Sequence, residues 1–225
     1  MAPPAKGVRT AGGVVVPEYR DDRPGASLPS YDPSRWSLDG VATLTESIVA
    51  DALPLGRGAR IVVSGPAAEA AAGHLAQDLS RHWRCLVLDA TSPDGQAGPG
   101  LIDVLDGHIP LAQAISPRGG RLSLLGSGAG DPDRLVLRPH PLAVVLDALS
   151  FAYDAVIMST RSPDEAMLGE VLAAISDCAI LAPWRLAGDP RDLGPFQRRG
   201  VRRIGALDAA GAGCWLAGSS GIRYH

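Results

Sequence analysis

The sequence predicts an α/β fold, a doubly wound and mainly parallel sheet flanked by helices. Short runs that are apolar throughout alternate with stretches of helical periodicity. Such runs are typical of parallel strands that helices cover on both faces. The predicted strands are Ile61–Ser64, Cys85–Asp89, Leu122–Leu125, Ala155–Met158, Ala179–Ala182, Ile204–Leu207 and Cys214–Ala217. The predicted helices are Leu44–Pro54, Ala67–Arg81, Leu101–Leu105, Leu111–Ile115, Pro141–Phe151 and Glu165–Ser176, the first capped by Thr43 or Thr45.

The first 36 residues differ in composition from the rest of the chain. They carry six prolines, several glycines and the charged cluster EYRDDR. Such a segment buries too little apolar surface to offset the entropy of ordering it. We therefore expect a disordered arm over 1–36 and a single α/β domain over 37–225.

The charge and cysteine content exclude several classes of protein. The net charge is only -3 and the basic residues are scattered, which argues against nucleic acid as a partner. No window approaches the ~18 uncharged apolar residues of a membrane span, so no direct membrane insertion is expected. The cysteines, an odd number at wide spacing among apolar residues, favour a reducing, cytoplasmic compartment and no metal site. They are Cys85, Cys178 and Cys214.

The stretch RIVVSGPAAEAAAGHLAQDL, from Arg60 to Leu79, has the layout of a phosphate-binding strand, loop and helix. A working phosphate loop needs glycines whose N–H groups reach the phosphates, a lysine, and a Ser or Thr that holds Mg²⁺. The segment Gly65–Ala70, GPAAEA, keeps only the first glycine. The segment is either a nucleotide site that has lost its phosphate-binding residues or a strand-to-helix turn that never bound phosphate.

Three further segments carry a family resemblance. They are CLVLDATSP (Cys85–Pro93), GLIDVLDGHIPLAQAI (Gly100–Ile115) and FAYDAVIMSTRSP (Phe151–Pro163). Over roughly residues 44 to 210 the chain resembles the tyrosine-kinase and ATPase domains of bacterial capsule and exopolysaccharide export. These are relatives of the partitioning and septum-placement ATPases with a deviant Walker A motif. The second segment, similar to the family's G-L-x-D-V-L-x-G, is the most specific match, and the resemblance implies a P-loop NTPase-like fold.

The resemblance also assigns a family role to each position of the candidate site. The family loop reads roughly GEGKST and is followed by a helix with N-L-A, which we set against His74, Leu75 and Ala76. In that alignment Gly65 takes the first glycine, Pro66 the Glu, Ala67 the second glycine, Ala68 the lysine, Glu69 the Ser and Ala70 the Thr. Asp89 keeps the first acidic position of the family's D-x-D, and Ser159 replaces the Walker B aspartate.

Each departure removes one element of phosphoryl transfer. Ala68 supplies no positive charge, and Glu69 places a carboxylate where a polyphosphate would lie, a repulsion of roughly a few kcal/mol at ~4 Å. Ser159 cannot anchor the magnesium shell as a carboxylate does. We therefore predict a pseudo-enzyme with no catalytic residue, no cofactor and no metal, and a loop that its own side chains tighten or fill.

The resemblance also bears on partners. In the family an E-x-x-R-x-x-R helix builds the kinase oligomer, and here the three positions hold Glu46, Val49 and Ala52, our candidate partner-binding residues. Tyr224 is the only tyrosine after Tyr153 in this sequence, so we expect no terminal tyrosine cluster of the kind the family has. We expect a scaffold or regulatory subunit that binds a membrane polysaccharide synthase, a copolymerase or an active ATPase homologue. Such a partner would recruit the protein to the inner membrane face, and a homodimer is a further expectation.

Two alternatives stay open. One is a residual nucleotide-binding ATPase or tyrosine kinase of the same family. The other is an unrelated α/β enzyme whose site lies at the strand ends near Ser64, Asp89 and Ser159. A general base within hydrogen-bond reach of either serine would favour that enzyme, and a tight, alanine-packed loop would disfavour it.

Overall fold

The computed structural model describes residues 10–11, 14–15, 39–90, 98–130, 132–160, 167–182, 194–198, 200–201, 203–207 and 213–217. The chain divides into two units, residues 1–30 and residues 31–225. In the first unit, β1 (Thr10–Ala11) pairs antiparallel with β2 (Val14–Val15). The remainder of the predicted arm up to residue 36 lies outside the described residues.

The second unit contains an eight-stranded sheet in the order β10-β9-β8-β3-β7-β4-β6-β5. The six central strands run parallel, and β10 and β5 pair antiparallel at the two edges. This confirms the predicted mainly parallel sheet. The strands are β3 Ala59–Ser64, β4 Cys85–Asp89, β5 Ile115–Gly119, β6 Leu122–Gly126, β7 Ala155–Thr160, β8 Cys178–Leu181, β9 Arg203–Leu207 and β10 Gly213–Ala217.

Helices cover both faces of the sheet, as a doubly wound fold requires. On one face α1 (Asp39–Ala52) and the alanine-rich α2 (Ala68–Leu79) form a buried core with alternate residues of β3, β4, β7 and β8. The intervening strand residues form a second core with larger side chains on the other face. The helices of that second core are α3 Leu101–Leu105, α5 Pro139–Ala152, α6 Met167–Ala174 and α7 Gly194–Arg198, while α4 Leu111–Ala114 contributes Ala114.

The structure corrects several predicted boundaries. Helix α1 begins at Asp39, so Thr43 and Thr45 lie inside it and neither caps it. Strand β5 was not predicted, because Pro117, Arg118 and Gly119 break the apolar pattern of a strand. The 3-10 helix Pro132–Leu137 and helix α7 were not predicted.

The amino-terminal ends of the strands are held by a motif that occurs twice. Asp177, just before β8, donates its N–H to the carbonyl of Arg60, and its carboxylate accepts the Arg60 N–H (2.8 Å for each bond). Asp154, just before β7, makes the same pair of bonds with Arg84. In each motif a guanidinium group also forms a salt bridge with the aspartate, Arg57 with Asp177 (2.6 Å) and Arg84 with Asp154 (3.0 Å). These contacts fix the register of neighbouring parallel strands.

Candidate functional site

The loop between β3 and α2, at the carboxyl end of the sheet, is tied to the end of β8. Ala182 donates its N–H to the Ser64 carbonyl (2.8 Å), and its own carbonyl accepts the N–H of Ala67 (3.0 Å). The Ala68 N–H turns back to the Gly65 carbonyl (3.1 Å). The N–H groups of Ala67 and Ala68 therefore point at the protein backbone.

Gly65 is required by this geometry. Its φ is +122°, in the left-handed region that favours glycine. A Cβ at this position would lie 2.4 Å from the Ala182 carbonyl oxygen. The one glycine that the loop keeps therefore serves the close approach of two backbone segments.

The alanines of the loop fill its interior. Ala67 is buried, and Ala68, which matches the family's lysine, is only 1% exposed and belongs to the core shared with α1. Glu69, in the first turn of α2, is exposed. The loop is thus tight and packed with its own methyl groups, as the alanine-rich sequence indicates.

Asp89 and Ser159 meet at the ends of neighbouring strands. They are register partners on β4 and β7, and the Ser159 hydroxyl donates to the Asp89 carboxylate at 2.9 Å. Asp89 is a general base within reach of a serine, the geometry expected of the unrelated enzyme. However, Ser159 is completely buried, so no substrate could approach its hydroxyl in this conformation. The bond satisfies two buried polar groups.

Ser64 and Thr160 form a second pair of register partners, on β3 and β7. Both are buried, and among the described residues the Thr160 hydroxyl is the buried side-chain group without a hydrogen-bond partner. Sequence reasoning singled out Ser64 but missed Thr160 and Ala182. Because parallel strands end at one edge of the sheet, the residues at and just beyond the carboxyl ends of the predicted strands were the available signal.

Two neighbouring pockets lie beside α2 on the side of β4, β5 and β6, and they share Gly73, Arg118 and Leu122. The first, about 200 Å³, is lined by Glu69, Asp89, Arg118 and apolar residues of β4 and β6. The second, about 470 Å³, extends along α2 past His74. The structure therefore brings two predicted site residues, Glu69 and Asp89, to one cavity. Ser159 lies behind Asp89 and does not line this cavity.

The segment Gly100–Ile115, the most specific match to the resembled family, has a structural role here. A Cβ on Gly100 would lie 2.1 Å from the Gly128 nitrogen, and the Gly100 N–H donates to the Asp103 carboxylate at 2.8 Å. Ile102 donates its N–H to the Ser127 carbonyl. The glycine and the aspartate of this motif lock the start of α3 against the loop after β6.

The structure also corrects the candidate partner-binding residues. Val49 and Ala52 are buried in the core between α1, α2 and the sheet, so they present no surface to a partner. Of the three positions, Glu46 alone is exposed. The i, i+3, i+6 spacing of the family motif could not reveal this, because it does not distinguish the packed side of a helix from its outer side.

The described residues offer neither a metal centre nor a membrane-crossing helix. In that part of the chain no group of three or more His, Cys, Asp or Glu side chains is placed to hold a metal ion. Nor does any helix there have the length and apolar character that a membrane crossing needs.

The protein is similar to known proteins in its fold and not detectably in its sequence. No protein-family model matches the chain, and no curated protein is detectably similar in sequence. The structure is similar to the VpsO kinase domain (TM-score 0.58, 18% identity, 72% of this chain and 88% of that one). It is also similar to the chimerical protein CapA2B2 (0.58, 18%, 70% and 77%) and to the kinase domain of the Escherichia coli tyrosine kinase ETK (0.53, 18%, 63% and 62%). The chain therefore has the P-loop NTPase-like fold of bacterial tyrosine kinase domains.

Proposed function

We propose that this protein is a non-catalytic scaffold or regulatory subunit of a bacterial exopolysaccharide system and that it binds neither nucleotide nor Mg²⁺. The observation that carries the proposal is the bond from the Ala67 N–H to the Ala182 carbonyl. A phosphate loop binds its ligand through backbone N–H groups that converge on the phosphate oxygens. Here that donor is used inside the protein, and the residues present do not fit a nucleotide.

Electrostatics supports the same conclusion. Glu69 and Asp89 line one cavity, so a polyphosphate entering it would meet two carboxylates. Like charges within ~4 Å repel by roughly a few kcal/mol at the intermediate dielectric of a protein surface. Arg118 lines the same cavity, but its guanidinium comes from the edge strand β5 and not from the loop. Binding as well as turnover should therefore be lost.

The bond between Ser159 and Asp89 supports the absence of a magnesium site. Asp89 accepts the Ser159 hydroxyl where the resembled family has a second carboxylate. Mg²⁺ demands near-ideal octahedral oxygen ligands and gives up its water reluctantly, so a neutral hydroxyl is a poor replacement for a carboxylate. The role in polysaccharide export is supported by the resemblance of Gly100–Ile115 and by the fold shared with VpsO and ETK.

The first test is a calorimetric titration of the full chain with ATP and ADP, each with and without Mg²⁺, using the VpsO kinase domain as a positive control. We expect no binding of either nucleotide under conditions in which the control binds. Sub-millimolar, magnesium-dependent ATP binding would overturn the proposal and favour a residual ATPase or kinase.

The variant Glu69→Gln separates the two causes of exclusion. It removes the carboxylate from the cavity but leaves the Ala67 bond in place, so it should still fail to bind ATP. If Glu69→Gln gains binding, the exclusion is electrostatic and the closed loop is not what prevents binding. Affinity capture of the tagged protein from the membrane fraction of its own bacterium then tests the partner. We expect a polysaccharide synthase, a copolymerase or an active homologue, and capture of none of these would count against the scaffold role.

A further inference from the structure

The outer side of α5 carries an unusual concentration of exposed apolar side chains. The inner side packs Leu142, Leu146 and Leu149 into the core. On the opposite side Val144 is 54% and Phe151 72% exposed. Leu137, which directly precedes the N-cap Arg138, is 77% exposed. Among the described residues these three are the exposed large hydrophobic side chains, and all three belong to one short segment.

Their spacing is that of a helix–helix seam. Val144 and Phe151 lie seven residues apart, the exposed Ala148 lies between them, and the exposed Pro141 lies three residues before Val144, so the steps are three, four and three. Apolar residues at such steps form a stripe along one side of a helix, the pattern by which two helices pack side by side. We refer to Leu137, Pro141, Val144, Ala148 and Phe151 as the α5 stripe.

We propose that the α5 stripe is the interface of a homodimer, in which α5 packs antiparallel on α5 of a second copy with Val144 at the two-fold axis. Apolar residues lie on both sides of Val144 along the chain, with Phe151 seven positions after it and Leu137, in the preceding 3-10 helix, seven positions before it. Reversing one helix about Val144 brings Phe151 of one copy towards the segment that carries Leu137 of the other, twice. A two-fold interface uses one surface patch on both subunits, so such self-matching favours a second copy over an unrelated protein.

The charges beside the stripe match in the same arrangement. His140 and Asp147 are exposed and, at 100° per residue, lie on the same flank of the stripe. In the antiparallel pair, the level of His140 in one copy falls within one residue of Asp147 in the other. The imidazole can then donate to a carboxylate that also pairs with Arg60 of its own copy. A parallel pair would instead set His140 level with His140 and Asp147 level with Asp147.

The size of the stripe sets the expected strength. Helix α5 has 14 residues, or about 21 Å at 1.5 Å per residue. One helix pair of this length buries less than the roughly 1,200–2,000 Å² of a standard stable interface. We therefore expect a weak dimer, with a dissociation constant in the micromolar range or above.

Sedimentation velocity of the full chain over a wide concentration range is the test. The wild type should shift reversibly from monomer to dimer. Because Val144 faces itself across the axis, Val144→Glu and Val144→Lys should each weaken self-association at least about tenfold, and an equal mixture of the two should restore it. The matched control is Ala143→Glu, on the same helix but beside the stripe, which should associate like the wild type.

Two results would overturn the proposal: a wild type that stays monomeric at all concentrations, which would assign the stripe to another partner, and charged Val144 variants that dimerise like the wild type. If both charged variants misfold by circular dichroism, the variant Val144→Cys decides instead. It should form an intermolecular disulfide on mild oxidation, whereas Ala143→Cys should not. Equal cross-linking of the two cysteine variants would overturn the proposal as well. Since none of these measurements involves nucleotide, the dimer and the proposed function can fail independently.

Discussion

The two ends of the parallel sheet are held together by different chemistry. At the amino-terminal end, Asp177 and Asp154 each join the start of one strand to the next through a carboxylate and an arginine. At the carboxyl end, the corresponding contacts are a backbone bond to Ala182, buried alanine methyl groups and one serine hydroxyl on Asp89. The first end relies on charge, and the second on close packing.

The location of the difference is informative, because ligands of open α/β sheets bind beyond the carboxyl ends of the strands. A working site there keeps donors and charges available to a ligand. In this chain the loop N–H groups at that end bond to the protein backbone, whereas the arginine–aspartate pairs that join strands lie at the opposite end. Four substitutions test this contrast, and they follow in order of decreasing effect.

The substitution Ala68→Lys tests the packing of the loop at the carboxyl end of the sheet. Because the Ala68 side chain is buried in the core, a lysine there would bring an unpaired charge into an apolar environment. We expect the free energy of unfolding to fall by about 3–5 kcal/mol, measured by urea denaturation. The control Glu69→Lys, at the exposed neighbouring position, should lower it by less than about 1 kcal/mol through the helix dipole. Equal effects of the two variants would show that position 68 is open to solvent.

The substitution Gly65→Ala tests the close backbone contact between the same loop and Ala182. It adds a Cβ 2.4 Å from the Ala182 carbonyl oxygen at a φ of +122°. The clash and the left-handed strain together should lower the free energy of unfolding by about 2–3 kcal/mol. Gly73→Ala is the control, since nothing lies within 4 Å of a Cβ at this helical position, and it should stabilise by about 0.5–1 kcal/mol. If thermal denaturation gave both variants the same midpoint, the bond between the loop and Ala182 would be refuted.

The substitution Asp177→Asn tests the charged end. Burial raises the pKa of Asp177, but the hydrogen bonds from Arg57 and from the Arg60 N–H outweigh it, so the pKa is lowered in the folded protein. A lowered carboxyl pKa stabilises the fold above the unfolded value of about 3.9, and this stabilisation is lost as the pH falls through the folded pKa. The variant should lose about 1–2 kcal/mol of unfolding free energy at pH 7.

The pH profile provides the check on that substitution. Between pH 7 and pH 3 the stability of Asp177→Asn should fall less steeply than that of the wild type, because the variant has no carboxylate to protonate. Asp51→Asn is the control, since its carboxylate is 59% exposed and its pair with Arg203 should contribute little. Parallel profiles of Asp177→Asn and the wild type would contradict the role of Arg57.

The substitution Ser159→Ala should have the smallest effect. It removes one hydrogen bond to the buried Asp89, which has a further interaction, so the expected loss is about 1 kcal/mol in urea denaturation. Ser116→Ala, at an exposed position of β5, should change the stability by less than about 0.5 kcal/mol. A Ser159→Ala variant as stable as the wild type would mean that the serine contributes nothing to this end of the sheet.

The sequence predicts the central strands well because their signal is local. Strand β4 has the predicted bounds, Cys85–Asp89, and helix α3 has the predicted bounds, Leu101–Leu105. Strand β5 is missed because an exposed edge strand needs no apolar pattern. Its extended conformation is stabilised by its backbone pairing with β6, which the sequence of β5 does not reveal.

The candidate site is predictable only in part. The alanine-rich composition predicts a packed loop, and parallel strands that end at one edge place Asp89 and Ser159 at that edge. The bonds from Ser159 to Asp89 and from Ala67 to Ala182 do not follow, because they depend on which strands are neighbours, and the sequence order of the strands does not determine their order in the sheet. The predicted partner-binding role of Val49 and Ala52 is wrong for a similar reason, since contacts with α2 and the sheet decide which side of α1 is buried.

The attachment of the loop to Ala182 also limits how the loop can move. Since the Ala67 N–H bonds the residue that immediately follows β8, opening the loop requires this bond to the end of β8 to break. Exchange of the Ala67 amide with solvent should then report that opening. The loop and the end of β8 are therefore expected to move together.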